Sequence, residues 1–194
     1  MRILMLGNSL TTANNMPQML AKRLDAEVSV HARGGARLAE QLNPETKMGA
    51  QTIQALQENR YDYVVLQEMS HGPATAPECY KESVRVLAAL IREADAEPVI
   101  YATWAFRPGC EKLTKLGMDA VEMHRRMQEN FTEIAAEYEL PMANVGEAFR
   151  ERGFPEDLYA PDGVHPSEAG SRIAAEMIAL VIEKCENQIA VTEE

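Results

Sequence analysis

Short apolar runs alternate with longer segments of helical periodicity along the whole chain, and this alternation constrains the fold more than any other feature. The apolar runs predict strands over residues 2–6, 27–31, 63–67, 98–103 and 141–145. The longer segments predict helices over residues 17–24, 35–42, 46–58, 77–94, 112–138 and 167–185. Strands that alternate with helices are typical of a parallel sheet, so we predict an α/β protein: a three-layer α/β/α sandwich of about five parallel strands with helices on both faces.

Length and composition fit a single domain that spans residues 1–194. The chain has 194 residues, of which 46% are hydrophobic, and this suffices for one sizeable core but not for two. Within residues 112–138, apolar side chains recur at steps of three and four from Leu116 to Tyr138, which predicts one long helix with a buried face. Only the tail from about Asn187 is expected to fray.

Charge and cysteine content narrow the classes of function. The net charge of −11 disfavours nucleic acid and membranes as partners. The three cysteines show no C-x-x-C spacing, and the histidines and carboxylates follow no metal-site pattern, so no metal, disulfide framework or cofactor is expected. Only four apolar residues separate Arg2 from Gly7, too few for a secretory signal, and no stretch of about 18 apolar residues occurs. These observations favour a cytoplasmic protein.

A polar residue, an aromatic residue or a glycine follows each of four predicted strands. Ser9, Gly35, Gln67 and Trp104 come after the first, second, third and fourth strand, respectively. Ligands of open α/β sheets bind outside the carboxyl ends of the strands, where loops supply the side chains. We therefore predict a small-molecule site at this edge of the sheet.

Two short motifs at opposite ends of the chain carry the chemistry. Gly7-Asn8-Ser9-Leu10 follows the first strand, and Asp162-Gly163-Val164-His165 precedes the last helix, which Ser167 is expected to cap. A serine hydroxyl becomes nucleophilic when an imidazole takes its proton and a carboxylate fixes the tautomer of that imidazole. Each motif alone also has a structural interpretation, as a helix cap or an Asp-Gly turn. Together they predict a Ser-His-Asp site.

On these two motifs the chain resembles the SGNH hydrolases, also called GDSL-type esterases and lipases, which are flavodoxin-like α/β/α enzymes that hydrolyse acyl esters. The resemblance implies that Ser9 is the nucleophile, that His165 is its general base and that Asp162 orients the imidazole. It also implies an oxyanion hole that includes the backbone amides of Ser9 and Gly35. The Gly-Asn-Ser block, with Gln67-Glu68 after the third strand, resembles in particular one bacterial subgroup of these enzymes.

Two positions depart from the general family pattern. Gln67 is the nearest counterpart of the asparagine that the family carries after its third strand, and we expect its side-chain amide to be the third oxyanion donor. Asn8 replaces an aspartate and is expected to brace the loop. Asn8 and Trp104 are candidates to line the substrate pocket, although an aromatic residue after a strand, such as Trp104, can equally belong to the core.

The predicted activity is the hydrolysis of a small-molecule ester through an acyl-enzyme. A short acyl chain is favoured because no apolar lid segment is visible, and O-acylated carbohydrates are one substrate class. Ser70 is an alternative nucleophile, although Glu68 occupies the place of the first glycine of a Gly-x-Ser-x-Gly elbow. Two other functions remain open: a flavodoxin-like protein that binds phosphate or flavin after strand one, and a non-catalytic SGNH-like binding protein. No oligomeric state is predicted.

Overall fold

A five-stranded, fully parallel sheet forms the centre of the protein. The structure is a computed structural model that describes residues 1–192, with side chains described for residues 1–188. The strands are β1 (Arg2–Gly7), β2 (Glu27–Ala32), β3 (Tyr63–Leu66), β4 (Glu97–Ala102) and β5 (Met142–Asn144). Their order in the sheet is β2-β1-β3-β4-β5, and every neighbouring pair is parallel. The predicted α/β class and the five predicted strands are confirmed.

Ten α-helices connect the strands within the described residues. They are α1 (Ser9–Thr12), α2 (Met16–Leu24), α3 (Leu38–Gln41), α4 (Lys47–Glu58), α5 (Gly72–Thr75), α6 (Pro77–Glu93), α7 (Glu111–Lys115), α8 (Ala120–Glu137), α9 (Val145–Glu151) and α10 (Glu168–Thr192). Two short 3-10 segments, Ala13–Asn15 and Glu156–Leu158, lie between them. None of the described helices is both long and apolar enough to cross a bilayer.

The helices form two layers, one on each face of the sheet. Helices α2 and α10 pack against each other, and they cover β2 and β5. Helices α4, α3, α6 and α8 contact one another in this order and cover the opposite face. Strand β1 lies between these layers, and its residues Ile3, Leu4, Met5 and Leu6 are fully buried. Burial of each such side chain contributes about 1.5–3 kcal/mol, so β1 contributes strongly to the stability of the fold.

The prediction of a single helix over residues 112–138 is wrong, because two helices, α7 and α8, occupy this range. Gly117 adopts a left-handed φ of 67° after α7, and the Asp119 side chain accepts a hydrogen bond from Glu122 N (2.8 Å), which starts α8. Leu116 therefore lies outside α8, whereas the rest of the apolar stripe up to Ile134 is buried as predicted. The helix predicted over residues 35–42 is shorter, since Gly35 also has a left-handed φ.

The last helix begins where the sequence indicates. Ser167 Oγ accepts a hydrogen bond from Gly170 N (3.2 Å), which is the geometry of an N-terminal cap. The helix continues past Asn187 to Thr192. The final part of the tail predicted to fray, residues 193–194, lies outside the described residues.

The carboxyl ends of β1, β2, β3 and β4 meet at one edge of the sheet. Gly7, at the end of β1, is paired in register with Ala32 of β2. A Cβ atom on Gly7 would lie 2.7 Å from Gln67 Oε1 and would also collide with Thr11 Oγ1, so only glycine fits where the chain turns from β1 into α1. This close approach fixes the position of Ser9, the first residue of α1.

Candidate active site

Ser9, His165 and Asp162 form one hydrogen-bonded line, although Ser9 and His165 are 156 positions apart in the sequence. Ser9 Oγ lies 2.8 Å from His165 Nε2. His165 Nδ1 lies 2.6 Å from Asp162 Oδ2. Because a carboxylate can only accept here, Nδ1 carries a proton, and Nε2 is left to accept the proton of the serine hydroxyl. The structure thus brings together the three residues that the two motifs supply.

The Asp162–His165 loop has a tight turn that accounts for the three-residue spacing of its two functional groups. Asp162 Oδ1 accepts hydrogen bonds from the backbone amides of Val164 and His165, each at 3.0 Å. Gly163 has a φ of 68°, and a Cβ atom there would lie 2.6 Å from Cys110 Cβ. One oxygen of the carboxylate therefore shapes the turn, while the other orients the imidazole.

The same contacts set the charge state of Asp162. Partial burial acts to raise its pKa, but the hydrogen bonds from the His165 side chain and from the amides of Val164 and His165 outweigh it and lower the pKa to about 2. The carboxylate is therefore ionised at neutral pH and can stabilise a positive charge on the imidazole.

The prediction that the Gln67 amide faces the oxyanion is wrong. Gln67 is 0% exposed, and its Nε2 donates to the carbonyl oxygen of Glu68. Its Oε1 accepts from Asn8 N (2.9 Å) and from Thr11 Oγ1 (3.0 Å), which fixes the orientation of the amide. The longer side chain folds back beneath the Ser9 loop, so Gln67 holds this loop in place from below.

Asn8 and Trp104 do not line a pocket, contrary to the prediction, because they are only 2% and 1% exposed. Asn8 caps α1 by accepting from Leu10 N (3.0 Å), and its Nδ2 donates to Ala36 O (3.0 Å). The expected bracing role of Asn8 is therefore present. Trp104 Nε1 donates to Val164 O (3.0 Å), one residue before His165, so this indole supports the loop that carries the imidazole.

Gly35 lies at the surface of the same edge, and its left-handed φ of 69° turns the chain from β2 towards α3. In the part of the chain that the structure describes, the Gly35 amide donates no hydrogen bond to the protein. Ser9 N, at the first position of α1, has no acceptor within that helix. Both amides thus remain available to a ligand, and their role in an oxyanion hole stays a prediction.

Sequence reasoning missed Asn14, which joins the two halves of the site. Its Nδ2 donates to Pro166 O and to Ser171 Oγ, each at 2.9 Å. Asn14 lies in the turn after α1 with a φ of 53°, a left-handed conformation that asparagine tolerates better than most residues. Its partners are more than 150 positions away, so no local pattern could have revealed this contact.

The other candidate nucleophile, Ser70, has no comparable setting. Within the described residues its hydroxyl makes no hydrogen bond, whereas the adjacent His71 bonds through Nδ1 to Thr75 Oγ1 (2.9 Å). Glu68, two residues earlier, is buried and accepts from the amides of Met69 and Leu38. Burial raises the pKa of Glu68, although these hydrogen bonds oppose the rise.

Comparison with known proteins extends these observations to the whole chain. The profile of the GDSL-like lipase/acylhydrolase family matches residues 5–173, a span that contains both motifs. No curated protein matches the chain. A solved structure described as a candidate SGNH hydrolase from Slackia heliotrinireducens is 58% identical, with a TM-score of 0.91 over 94% of this chain and 98% of that one.

More distant solved structures share the fold alone. A DUF4886 family protein from Bacteroides uniformis has a TM-score of 0.72 at 17% identity, over 93% of this chain and 82% of that one. An acetyl xylan esterase has a TM-score of 0.67 at 13% identity, over 92% of this chain and 98% of the other. The family profile, the Slackia relative and the two motifs agree, and the chain therefore belongs to the GDSL-like lipase/acylhydrolase family of SGNH hydrolases.

Proposed function

We propose that the protein is a carboxylic ester hydrolase that acts through Ser9, His165 and Asp162 and forms an acyl-enzyme on Ser9. The observation that carries this proposal is the unbroken line from Ser9 Oγ to His165 Nε2 (2.8 Å) and from His165 Nδ1 to Asp162 Oδ2 (2.6 Å). Both distances suit proton transfer and charge stabilisation without movement of either loop.

In the acylation step, His165 Nε2 takes the proton of Ser9 Oγ while this oxygen attacks the ester carbonyl carbon. The carbonyl π electrons move onto the oxygen, and the tetrahedral intermediate collapses by expelling the alcohol, which receives the proton from Nε2. Water then attacks the acyl-enzyme with the same imidazole as base, and the acid leaves as Ser9 Oγ regains its proton. Asp162 stays ionised throughout and balances the charge on the imidazolium.

The oxyanion is proposed to bind to the backbone amides of Ser9 and Gly35. Support comes from their common edge of the sheet and from the lack of any acceptor for either N–H within the described protein. Gln67 is left out of this proposal because its amide is engaged beneath the loop. Two preorganised backbone donors are a workable oxyanion hole, as the serine proteases illustrate.

Short acyl groups are the proposed substrates. The side chains of His165 and Asp162 are 36% and 40% exposed, so the acyl-binding region adjoins solvent and offers a long lipid tail little apolar cover. The acetyl xylan esterase among the similar folds is a reason to include acetylated sugars in a substrate screen.

The alternative of phosphate binding after β1 has little support, because all but one of the backbone donors in this loop are already used. Leu10 N donates to the Asn8 side chain, and Thr11 N and Thr12 N donate to Asn8 O. The Thr11 hydroxyl donates to Gln67 Oε1 and is buried. A phosphate at this loop would have to break these hydrogen bonds.

Hydrolysis of 4-nitrophenyl acetate tests the proposal. We expect Ser9→Ala and His165→Ala each to lower kcat/KM by roughly 10⁴-fold or more, and the double variant to lose little beyond either one, because triad members act as a unit. Circular dichroism and thermal unfolding of each variant serve as folding controls. Ser9→Ala that is folded and retains most of the activity would contradict the proposed nucleophile.

A further inference from the structure

The rim of the candidate site carries two positively charged side chains, Arg37 and Lys112. Arg37 follows the Gly35-Ala36 turn, and Lys112 lies in α7 after β4. Within the described residues neither side chain has an ion pair. This is notable in a chain whose net charge is −11, because the acidic excess offers many possible partners elsewhere on the surface.

Most carboxylates next to these loops are already engaged. Glu40 pairs with Arg33, and Glu156 pairs with Arg107. Glu111, the neighbour of Lys112, pairs with Lys115 (2.6 Å). The buried Glu68 accepts two backbone amides and forms no ion pair, although the charge of Arg37 acts to lower its pKa. Arg37 and Lys112 are therefore left without an ion pair at the rim, among the residues that the structure describes.

Arg37 is anchored beside the nucleophile loop. The residue before it, Ala36, accepts a hydrogen bond from Asn8 Nδ2 (3.0 Å), and the residue after it, Leu38, donates to Glu68 Oε2 (3.2 Å). Since consecutive Cα atoms are about 3.8 Å apart, the backbone of Arg37 is held against the loops that follow β1 and β3.

Lys112 approaches from the opposite side, next to the loop that carries the imidazole. Arg107 N donates to Gly163 O (2.8 Å), and Cys110 packs directly on Gly163. Lys112 follows Cys110 by two residues, on the exposed face of α7. The backbone of Lys112 is therefore close to the Asp162–His165 turn, and it follows β4, whereas Arg37 follows β2 on the other side of β1 and β3.

His71 lies in the loop after β3, a strand that stands between β2 and β4 in the sheet. Its ring meets Phe106 edge-on at 6.3 Å. Burial is the main cause that lowers the pKa of His71, and the positive charges of Arg37 and Lys112 lower it further. The segments after β2, β3 and β4 thus bring Arg37, His71 and Lys112 to the same edge of the sheet as Ser9 and His165.

We propose that the natural substrate is a small ester that carries a negatively charged group, and that Arg37 and Lys112 bind this group at the rim. This inference rests on the proposed function, because it names the substrate class of the same site. A guanidinium and an ammonium that lack carboxylate partners form charge-assisted hydrogen bonds with a substrate carboxylate without first breaking an ion pair. They also attract an anion towards a protein that otherwise repels it.

Matched neutral and anionic esters test the inference. In the first pair, 4-acetoxybenzoate carries the charge in its alcohol part, and its methyl ester is the neutral partner. In the second pair, mono-4-nitrophenyl adipate carries the charge in its acyl part, and 4-nitrophenyl hexanoate is the neutral partner. For at least one pair, we expect Arg37→Gln and Lys112→Gln each to lower the anionic-to-neutral ratio of kcat/KM by roughly 5-fold, and the wild-type ratio to fall as salt is added.

Lys22→Gln is the matched control, because it removes the same charge from an exposed position in the last turn of α2, at the opposite edge of the sheet. It should leave both ratios unchanged. The inference would be overturned if Arg37→Gln and Lys112→Gln are folded, still hydrolyse the neutral esters and leave the anionic-to-neutral ratios unaltered. This result would leave the hydrolase proposal intact. Hydrolysis that survives in Ser9→Ala would instead defeat the hydrolase proposal itself.

Discussion

Replacement of Gly163 by alanine should destabilise the protein and disrupt the site together, because this residue lies in the turn between Asp162 and His165. The new methyl group would lie 2.6 Å from Cys110 Cβ and 3.3 Å from Arg107 Cβ. The alanine would also have to adopt the φ of 68° that Gly163 has, a left-handed conformation that L-residues disfavour.

The expected cost has three parts. The left-handed backbone costs about 1–2 kcal/mol for alanine. Overpacking against Cys110 costs about 1–3 kcal/mol, since the contact is closer than real Cβ atoms allow. The lower entropy of the unfolded alanine chain offsets about 0.4–1 kcal/mol. The free energy of unfolding should therefore fall by about 3 kcal/mol at the centre of these ranges, which for a chain of this size lowers Tm by about 6–12 °C.

Gly109→Ala is the matched control, because Gly109 belongs to the same region with a φ of 77° but has no atom within 4 Å of the position of a new Cβ. It should cost only about 1 kcal/mol, the backbone part less the entropy part. Urea unfolding measures both variants, and the excess for Gly163→Ala reports the clash. Equal unfolding free energies for the two variants would refute the steric argument. We also expect kcat/KM of Gly163→Ala to fall by about 100-fold as the His165 loop shifts.

Three further predictions concern the residues that hold the site. Asn14→Gly keeps the left-handed backbone but removes the amide bonded to Pro166. The unfolding free energy should therefore decrease by about 1–2 kcal/mol, and kcat/KM should decrease as well. An unchanged kcat/KM would contradict a positioning role. Trp104→Phe keeps an aromatic ring but leaves Val164 O without its donor, and it should lower kcat more than it raises KM in steady-state kinetics. The pKa of Asp162 is lowered from 3.8 to about 2, so its carboxylate stabilises the folded state fully above pH 4 and loses this contribution as the pH falls towards 2. The unfolding free energies of wild type and Asp162→Asn should therefore converge over that interval. A constant difference between them would contradict the assigned shift.

The sequence was most informative where local spacing determines geometry. The strands are predictable because their apolar runs are short and bounded by polar segments, as in Tyr63–Leu66. Asp162 and His165 are predictable as partners because a single tight turn places both side chains together. Ser9 is predictable because Gly7 allows the turn that exposes the first residue of α1.

The errors arose where direction depends on tertiary contacts. Gln67, Asn8 and Trp104 all follow strands, but their side chains point into the protein because buried acceptors and donors from other loops engage them. The division of the predicted 112–138 helix was missed because the apolar period continues through Gly117, although the glycine and the capping aspartate after it are end and start signals.

The location of a covalent fluorophosphonate adduct tests the central claim most directly, because only an activated serine attacks such a probe at neutral pH. Intact mass and peptide mapping should show a single adduct on Ser9, absent from Ser9→Ala and formed far more slowly in His165→Ala, since His165 Nε2 lies 2.8 Å from Ser9 Oγ. An adduct on Ser70, or labelling at Ser9 that is equally fast without His165, would contradict the account.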